Sequence, residues 1–138
     1  MKKMNNKGFS LVELIVVIAI MAVLIGVLAP QFIKYVEKSR QTTDIQNMDT
    51  CVSAVRAYYA DKTWPAGKNI VIEISGGVWV ATNADANCLS DAGCAGSKLK
   101  GNWNTTSPSA TITSTGTVTY AGESEYYKVN ANNQFEGK

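Results

Sequence analysis

The fold is decided by residues 7–29, which read KGFSLVELIVVIAIMAVLIGVLA. From Leu14 to Ala29 this stretch holds no charged or strongly polar side chain. A helix over residues 9–29 would be about 31 Å long at 1.5 Å per residue, which matches a hydrocarbon core of about 30 Å. Three lysines lie within residues 1–8, so the positive-inside rule places that end in the cytoplasm. The stretch therefore predicts one membrane-spanning helix, with the bulk of the chain outside.

A cleaved secretion signal is the alternative, because it also joins a basic start to an apolar core that ends in small residues. Cleavage after Ala29 would place Pro30 directly behind the scissile bond, however, and Glu13 interrupts the apolar stretch near its beginning. A charge at the bilayer centre costs roughly 3 kcal/mol, less near a helix end, and an ionisable residue in a membrane segment indicates function by default. The sequence thus favours a retained helix in which Glu13 has a role.

The run Lys7-Gly8-Phe9-Ser10-Leu11-Val12-Glu13 resembles the processing site and helix start of type IV pilins and related proteins with class III signal sequences. In that family a short basic leader ends in Gly and is followed by Phe, Thr or Ser, Leu, an aliphatic residue and Glu. The resemblance implies that a prepilin peptidase cuts between Gly8 and Phe9 on the cytoplasmic side, and that Phe9 is then N-methylated. Because this cut precedes the apolar core, the helix would remain in the mature chain.

Glu13 would be the fifth residue of that mature chain. The resemblance implies that its carboxylate neutralises the new amino terminus of a neighbouring subunit as the subunit enters a filament. An amine and a carboxylate in low dielectric are each costly alone and much less so when paired, so the pair would fix the register of assembly. The alternative is a capping box, Ser10-x-x-Glu13, with the carboxylate favoured in the first helical turn. We favour the assembly role, because a cap does not explain why an apolar helix follows the charge so closely.

Past the apolar stretch the helix becomes amphipathic. Apolar side chains recur at spacings of three and four along one face, at Ile45, Met48, Val52, Val55 and Tyr59. Gly26 and Pro30 both disfavour a helix interior, so a kink or a local loss of helix is expected near them, although a continuous curved helix fits the sequence equally well. The resemblance implies that the packed helix loosens over this segment in a filament. We expect the helix to end near Ala60, before Trp64-Pro65.

Beyond the helix the pattern changes to short strands. Residues 69–75 alternate, and Gly76-Gly77 makes a two-residue hairpin turn that places Ile74 opposite Trp79 and Ile72 opposite Ala81. Further strands are expected at residues 111–113, 118–120, 126–129 and 134–136, and residues 83–108 are predicted to be a long surface loop with little regular structure. One apolar sheet face would pack on the helix stripe. The predicted fold class is therefore α+β, a long N-terminal helix packed on a small antiparallel sheet, as in pilins.

This organisation divides the chain into four segments. They are a cleaved leader over residues 1–8, a transmembrane and filament-core helix over 9–29, an amphipathic helix half over 30–61 and a globular β-sheet region over 62–138. The 138-residue chain carries 13 basic and 11 acidic side chains, but the leader holds three of the lysines and no acid. The mature side chains then sum to 10 minus 11, or −1. A net charge this small does not indicate a basic surface for nucleic acid. The sequence therefore neither predicts nor excludes nucleic-acid binding.

The chain has three cysteines, Cys51 on the helix and Cys88 and Cys94 in the predicted loop. An exported chain meets oxidising surroundings, so we expect one disulfide and one remaining thiol. A Cys88–Cys94 bond would close a small loop, whereas a bond from either residue to Cys51 would pin the loop to the helix and remove more chain entropy. The pilin family often closes a loop near the carboxyl end with a disulfide. This chain has no cysteine there, so the family's disulfide-bounded adhesive loop is not carried over.

The sequence shows no catalytic chemistry. It contains no histidine, which removes the commonest general base and the commonest zinc ligand. It also contains no Walker motif, nucleophile elbow or zinc-ligand spacing. We predict no enzyme activity, no catalytic residue, no metal site and no cofactor.

The functional prediction is a structural subunit of a type IV pilus, inserted in the cell membrane as a precursor and polymerised into an extracellular filament for adhesion, twitching motility or related surface functions. The resemblance implies as partners the membrane, the prepilin peptidase, an assembly ATPase, a platform protein and further copies of the chain. Two alternatives are open. The chain is a pseudopilin of a type II secretion or DNA-uptake machine, or a single-pass, membrane-anchored binding module that does not polymerise.

Overall fold

The computed structural model describes residues 8–91, 94 and 96–138. The chain separates between Val36 and Glu37 into two compact units, which we call the stem unit (residues 8–36) and the head unit (residues 37–138). One α-helix, α1 (Leu11–Tyr58), contributes to both. Residues 1–7 of the predicted leader lie outside the described residues.

In the stem unit the backbone is α-helical from Leu11 onward, including Gly26 and Pro30. A proline in a helix interior removes one backbone hydrogen bond and crowds the preceding turn, which is why a local loss of helix was one expectation here. Within the described stem the helix is not interrupted, in agreement with the alternative of a continuous helix. Loosening near Gly26 and Pro30 in a filament stays a prediction.

The head unit contains the carboxyl-terminal part of α1 and a six-stranded sheet. Its strands are β1 (Ile70–Ser75), β2 (Val78–Thr82), β3 (Thr106–Ile112), β4 (Val118–Glu123), β5 (Tyr127–Val129) and β6 (Phe135–Gly137). Their order across the sheet is β2-β1-β3-β4-β5-β6, and neighbouring strands are antiparallel. The α+β fold class is confirmed.

The first hairpin has the predicted register. Ile74 pairs with Trp79 and Ile72 with Ala81. Gly76 and Gly77 have φ of 60° and 81°, and two successive positive φ values define the turn whose twist matches that of the flanking strands. Trp79, Ile72 and the neighbouring Ile70 are buried, so this hairpin supplies one apolar face of the sheet.

The predicted helix stripe lies in the core. Met48, Val52 and Val55 are buried among strand residues, while Ile45 and Tyr59, at the two ends of the stripe, are half-buried. The strand side of the core consists of Ile70, Ile72, Trp79, Ala110 and Ile112. Burying these apolar side chains removes their surface from water and is the main driving force for the fold of the head unit.

The predicted loop over residues 83–108 is more ordered than expected at its carboxyl end. Strand β3 begins at Thr106, five residues before the predicted strand, and contains the buried Pro108. Proline has no N–H to donate and is tolerated in a sheet mainly at edges and bulges, and the β3–β4 register shifts between Thr106 and Ser109. The irregular pairing accommodates Pro108, which had concealed the strand in the sequence.

The same predicted loop also covers the outer edge of the sheet. Lys98 forms a β-bridge with Val78 on edge strand β2. The backbone N–H of Trp79 donates to the Ser97 carbonyl at 3.0 Å, and the backbone N–H of Leu99 donates to the Gly77 carbonyl at 3.1 Å. Pairing an edge in this way removes free backbone groups that would otherwise template aggregation.

The cysteine alternatives are resolved in favour of a bond between the loop and the helix. Cys51 on α1 is bonded to Cys94, with a Cα–Cα distance of 5.7 Å and a sequence separation of 43 residues. Cys88 is a free, buried thiol, so the small Cys88–Cys94 loop is not formed. Burial, and secondarily the negative charge of Asp85, raise the pKa of the Cys88 thiol, which therefore lacks the thiolate character of a reactive cysteine.

Candidate functional site

The candidate site in the stem unit is the start of α1. Gly8, Phe9 and Ser10 precede the helix, and the Phe9 side chain is 84% exposed. The Ser10 hydroxyl accepts a hydrogen bond from the Val12 N–H at 3.2 Å. The Glu13 carboxylate accepts one from the Ser10 N–H at 3.0 Å. Together these two bonds have the form of a cap that satisfies donors otherwise left open at a helix start.

The capping arrangement does not use all of the Glu13 carboxylate. Only Oε2 is bonded to Ser10 in the described chain, and a carboxylate can accept about four hydrogen bonds over its two oxygens. The acceptor capacity that remains lies within one helical turn of Phe9. Capping within one chain and pairing with a cation from another chain are therefore compatible at Glu13.

The helix that follows is apolar and uncovered. Its large hydrophobic side chains between Phe9 and Tyr35 are 45 to 84% exposed. Its length and composition fit a membrane-crossing helix, and none of its most apolar window is buried in the described chain. Exposed apolar surface on this scale is unfavourable in water, so it indicates contact with lipid or with other protein.

A second candidate lies in the head unit and was not among the sites predicted from the sequence. Asp44 on α1 is fully buried. Its two carboxylate oxygens accept hydrogen bonds from the Lys100 N–H at 2.8 Å, the Gly101 N–H at 2.7 Å and the Trp103 indole N–H at 3.0 Å. Three donors around one carboxylate are what a buried charge requires in place of water.

Gln41, one turn before Asp44, is also buried and fully engaged. Its amide nitrogen donates to the Asn102 carbonyl at 2.7 Å and to Glu37 at 3.2 Å, and its amide oxygen accepts from the Ser124 hydroxyl at 2.6 Å. The Asn102 N–H in turn donates to the Glu37 carboxylate. We call Glu37, Gln41 and Asp44, with their partners in residues 100–103, the polar clamp. It holds an irregular segment to the helix through hydrogen bonds.

The polar clamp could have been suspected from one signal. Gln41 and Asp44 continue the helix stripe toward the amino terminus at the same spacing of three and four that places Met48 in the core. Their partners are 56 to 83 residues away along the chain and carry no periodic pattern. The fixed geometry explains Gly101, since a Cβ there would lie 2.6 Å from the Gln41 Cγ.

The described residues hold no group of three or more His, Cys, Asp or Glu side chains placed as metal ligands. Asp85, in the predicted loop, is hydrogen-bonded to two tyrosine hydroxyl groups. Its carboxylate accepts from the Tyr58 hydroxyl at 3.3 Å, and its N–H donates to the Tyr59 hydroxyl at 2.8 Å. These bonds give Asp85 a role in the fold at the end of α1.

Comparison with known proteins agrees with the geometry of the stem unit. Residues 3–29 match the family described as "Prokaryotic N-terminal methylation motif". The chain is 33% identical over 58 residues to the type IV major pilin protein PilA of Myxococcus xanthus, a match that covers 42% of this chain and 26% of that protein. Over these residues the chain is similar to type IV pilins.

Two further relatives are also named as fimbrial or pilus proteins. The chain is 39% identical over 67 residues to the fimbrial protein EcpC of Eikenella corrodens, covering 48% of this chain and 44% of that protein. It is 37% identical over 60 residues to the type IV narrow pilus major component PilA5 of Thermus thermophilus, covering 44% and 48%. The chain therefore spans between about a quarter and a half of the length of these relatives. No solved structure matches it.

Proposed function

We propose that this pilin-like chain is a structural subunit of a type IV pilus, inserted in the membrane as a precursor, cleaved between Gly8 and Phe9, N-methylated at Phe9 and polymerised through its stem. The observation that carries the proposal is the uncovered apolar helix that begins within the match to the N-terminal methylation motif, residues 3–29. In the membrane this surface contacts lipid. In a filament it contacts the same surface of other copies, which removes it from water.

Glu13 sets the register of the proposed filament. After cleavage, the amine of Phe9 on an incoming subunit is a cation among apolar stems, where an unpaired charge is costly. The Glu13 carboxylate of a neighbouring subunit has free acceptor capacity beside its bond to Ser10. Apolar contacts supply affinity between stems but are non-directional, whereas a charge pair fixes one axial offset.

The proposed subunit requires partners that perform the chemistry and supply the energy. A prepilin peptidase removes residues 1–8, and an assembly ATPase with a platform protein drives extrusion, because the sequence has no nucleotide-binding motif. Before assembly the chain spans the cell membrane once with its amino terminus in the cytoplasm. After assembly the head unit is at the cell surface, where the filament serves adhesion, twitching motility or related functions.

The test is mass spectrometry of fibres sheared from the surface of cells that express the chain. The expected result is an abundant mature chain that begins at Phe9 and carries one methyl group on its amine. A chain found only in the membrane, or one that retains residues 1–8 within the fibres, contradicts the proposal. Fibres that are short and confined to the envelope would instead identify the pseudopilin alternative, and cleaved chain without fibres would identify the membrane-anchored binding module.

A further inference from the structure

An open groove lies on the head unit between α1 and the sheet. It has a volume of about 370 Å³ and is lined by Ile45 and Asp49 from the helix, Tyr120 from β4, Gln134 just before β6 and Phe135 at the start of β6. The Tyr120 and Phe135 rings meet edge to face with centroids 6.1 Å apart. The groove therefore combines aromatic walls with one carboxylate.

The walls of the groove are held in place by Asn133. Its side-chain oxygen accepts from the Tyr120 N–H at 2.7 Å, and its side-chain nitrogen donates to the Val118 carbonyl at 2.6 Å. Asn133 has a φ of 59°, a conformation that asparagine tolerates better than most residues. These bonds join β4 to the turn before β6, so the groove is preformed.

The carboxylate in the groove, Asp49, forms no salt bridge in the described part of the chain. Arg56 lies two turns further along the helix, but its guanidinium donates to the Gly116 carbonyl at 2.7 Å. Burial raises the pKa of Tyr120, and the negative charge of Asp49 raises it further, so the phenol stays protonated beside the carboxylate. The groove thus presents a negative charge next to two aromatic rings.

Arginine is the side chain that suits such a groove. A guanidinium stacks on aromatic faces and donates two parallel hydrogen bonds to a carboxylate, which a lysine ammonium does not. Arg40 on α1 is exposed and, within the described residues, forms no salt bridge. It precedes Asp49 by nine residues, which at about 100° per residue places the two on opposite sides of the helix. Arg40 therefore cannot enter the groove of its own chain.

We infer that the groove of one copy receives the Arg40 side chain of a second copy. A contact between two different surfaces of identical chains is heterologous, and such contacts continue into open filaments when the rotation between copies does not close a ring. The inference rests on the proposed function and adds a contact between the head units of successive subunits. The stem supplies most of the buried area, and this charge pair adds orientation.

Charge reversal and charge exchange test the contact in cells whose unaltered chain forms fibres. We expect Asp49→Arg and Arg40→Asp each to lower the yield of surface fibres by about tenfold or more, since close charge pairs at interfaces carry coupling of that order. The double variant Asp49→Arg with Arg40→Asp is expected to restore most of the yield. Glu125→Lys and Lys68→Glu are the matched controls, because both residues are exposed and lie outside the groove.

The outcomes separate the two proposals. Absence of fibres from the unaltered chain overturns the proposed function. With fibres present, an unchanged yield in both single variants overturns the inference alone, and so does a loss that the double variant does not restore, which would assign the groove to another partner. The amount of mature chain in the membrane, cleaved after Gly8 and otherwise intact, is measured for every variant. A loss of fibres is attributed to the contact only where the subunit is present in this processed form.

Discussion

The stem unit and the head unit use charge in opposite ways. In the stem, one carboxylate, Glu13, is exposed, bonded by one oxygen and surrounded by uncovered apolar side chains. In the head, Asp44 is fully buried and both of its oxygens are bonded within the same chain. A charge whose partners are all internal stabilises a fold, whereas one with unused acceptors is available to a neighbour. Substitutions of Glu13 and of Asp44 should therefore be separable: the first should alter assembly, and the second should alter stability.

The largest effect is expected from Glu13→Ala. The substitution would leave the Phe9 amine of an incoming subunit unpaired among apolar stems, at a cost of about 3–5 kcal/mol per subunit, which abolishes or severely impairs fibre formation. Cleavage after Gly8 and the unfolding of the head unit should be largely unchanged. The measurements are fibre yield, the amino-terminal mass of the membrane-bound chain, and unfolding of the full chain in detergent. Unchanged fibre yield would refute the pairing role and leave Glu13 as a helix cap.

In the head unit, loss of the disulfide should have the largest effect on stability. Replacing Cys94 with Ala releases a closed loop of 43 residues, for which the chain-entropy relation gives about 4 kcal/mol of unfolding free energy. Denaturant unfolding followed by tryptophan fluorescence measures the loss. Cys88→Ala is the control and should cost about 1 kcal/mol, because it removes only one buried sulfur. Equal losses in the two variants would show that the disulfide adds nothing beyond packing.

Asp44→Ala should follow, with a loss of about 3 kcal/mol, because it leaves the donors of Lys100, Gly101 and Trp103 buried without an acceptor. Asp44→Asn keeps one acceptor but turns an amide N–H toward at least one of these donors. Its loss of unfolding free energy should therefore be smaller than that of Asp44→Ala but greater than zero. Asp91→Ala, which removes an exposed carboxylate, should remain within about 0.5 kcal/mol of the unaltered chain. If Asp44→Ala matched Asp91→Ala, the polar clamp would have no role in stability.

The contrast between the two units also explains which features can be predicted from the sequence. The apolar stretch, the capping residues and the Gly76-Gly77 hairpin are local patterns, in which the residues that interact are neighbours or alternate along the chain. The polar clamp is non-local, since Asp44 meets residues more than fifty positions away in a segment without periodicity. Pro108 hid the start of β3 because its place in a strand depends on a bulge formed with another strand. Local patterns therefore allow a site to be proposed at the start of the stem, whereas the contacts of the polar clamp are seen only in the folded chain.

The smallest effect is expected at the exposed ion pairs on the far edge of the sheet. Lys138 contacts Glu123 at 2.7 Å and Lys128 contacts Glu136 at 3.3 Å. The hydrogen bond and charge of Lys138 lower the pKa of Glu123, and hydrogen bonds from Asn130 and then Lys128 lower the pKa of Glu136. A carboxyl group whose pKa is lower in the folded than in the unfolded state stabilises the fold at pH values above its unfolded pKa, near 4.5. This stabilisation disappears as the pH falls through the folded pKa.

The head unit should therefore lose slightly more stability on acidification below about pH 4.5 than a variant with Glu123→Gln and Glu136→Gln. Both carboxylates are solvent-exposed, so screening keeps the difference small and added salt should reduce it. The measurement is the denaturant midpoint of both chains between about pH 6 and pH 3, at low and high salt. A difference as large as that of Asp44→Ala would mean that the surface pairs contribute as much as the interior, and the contrast between internally satisfied and exposed charges would then fail within the head unit itself.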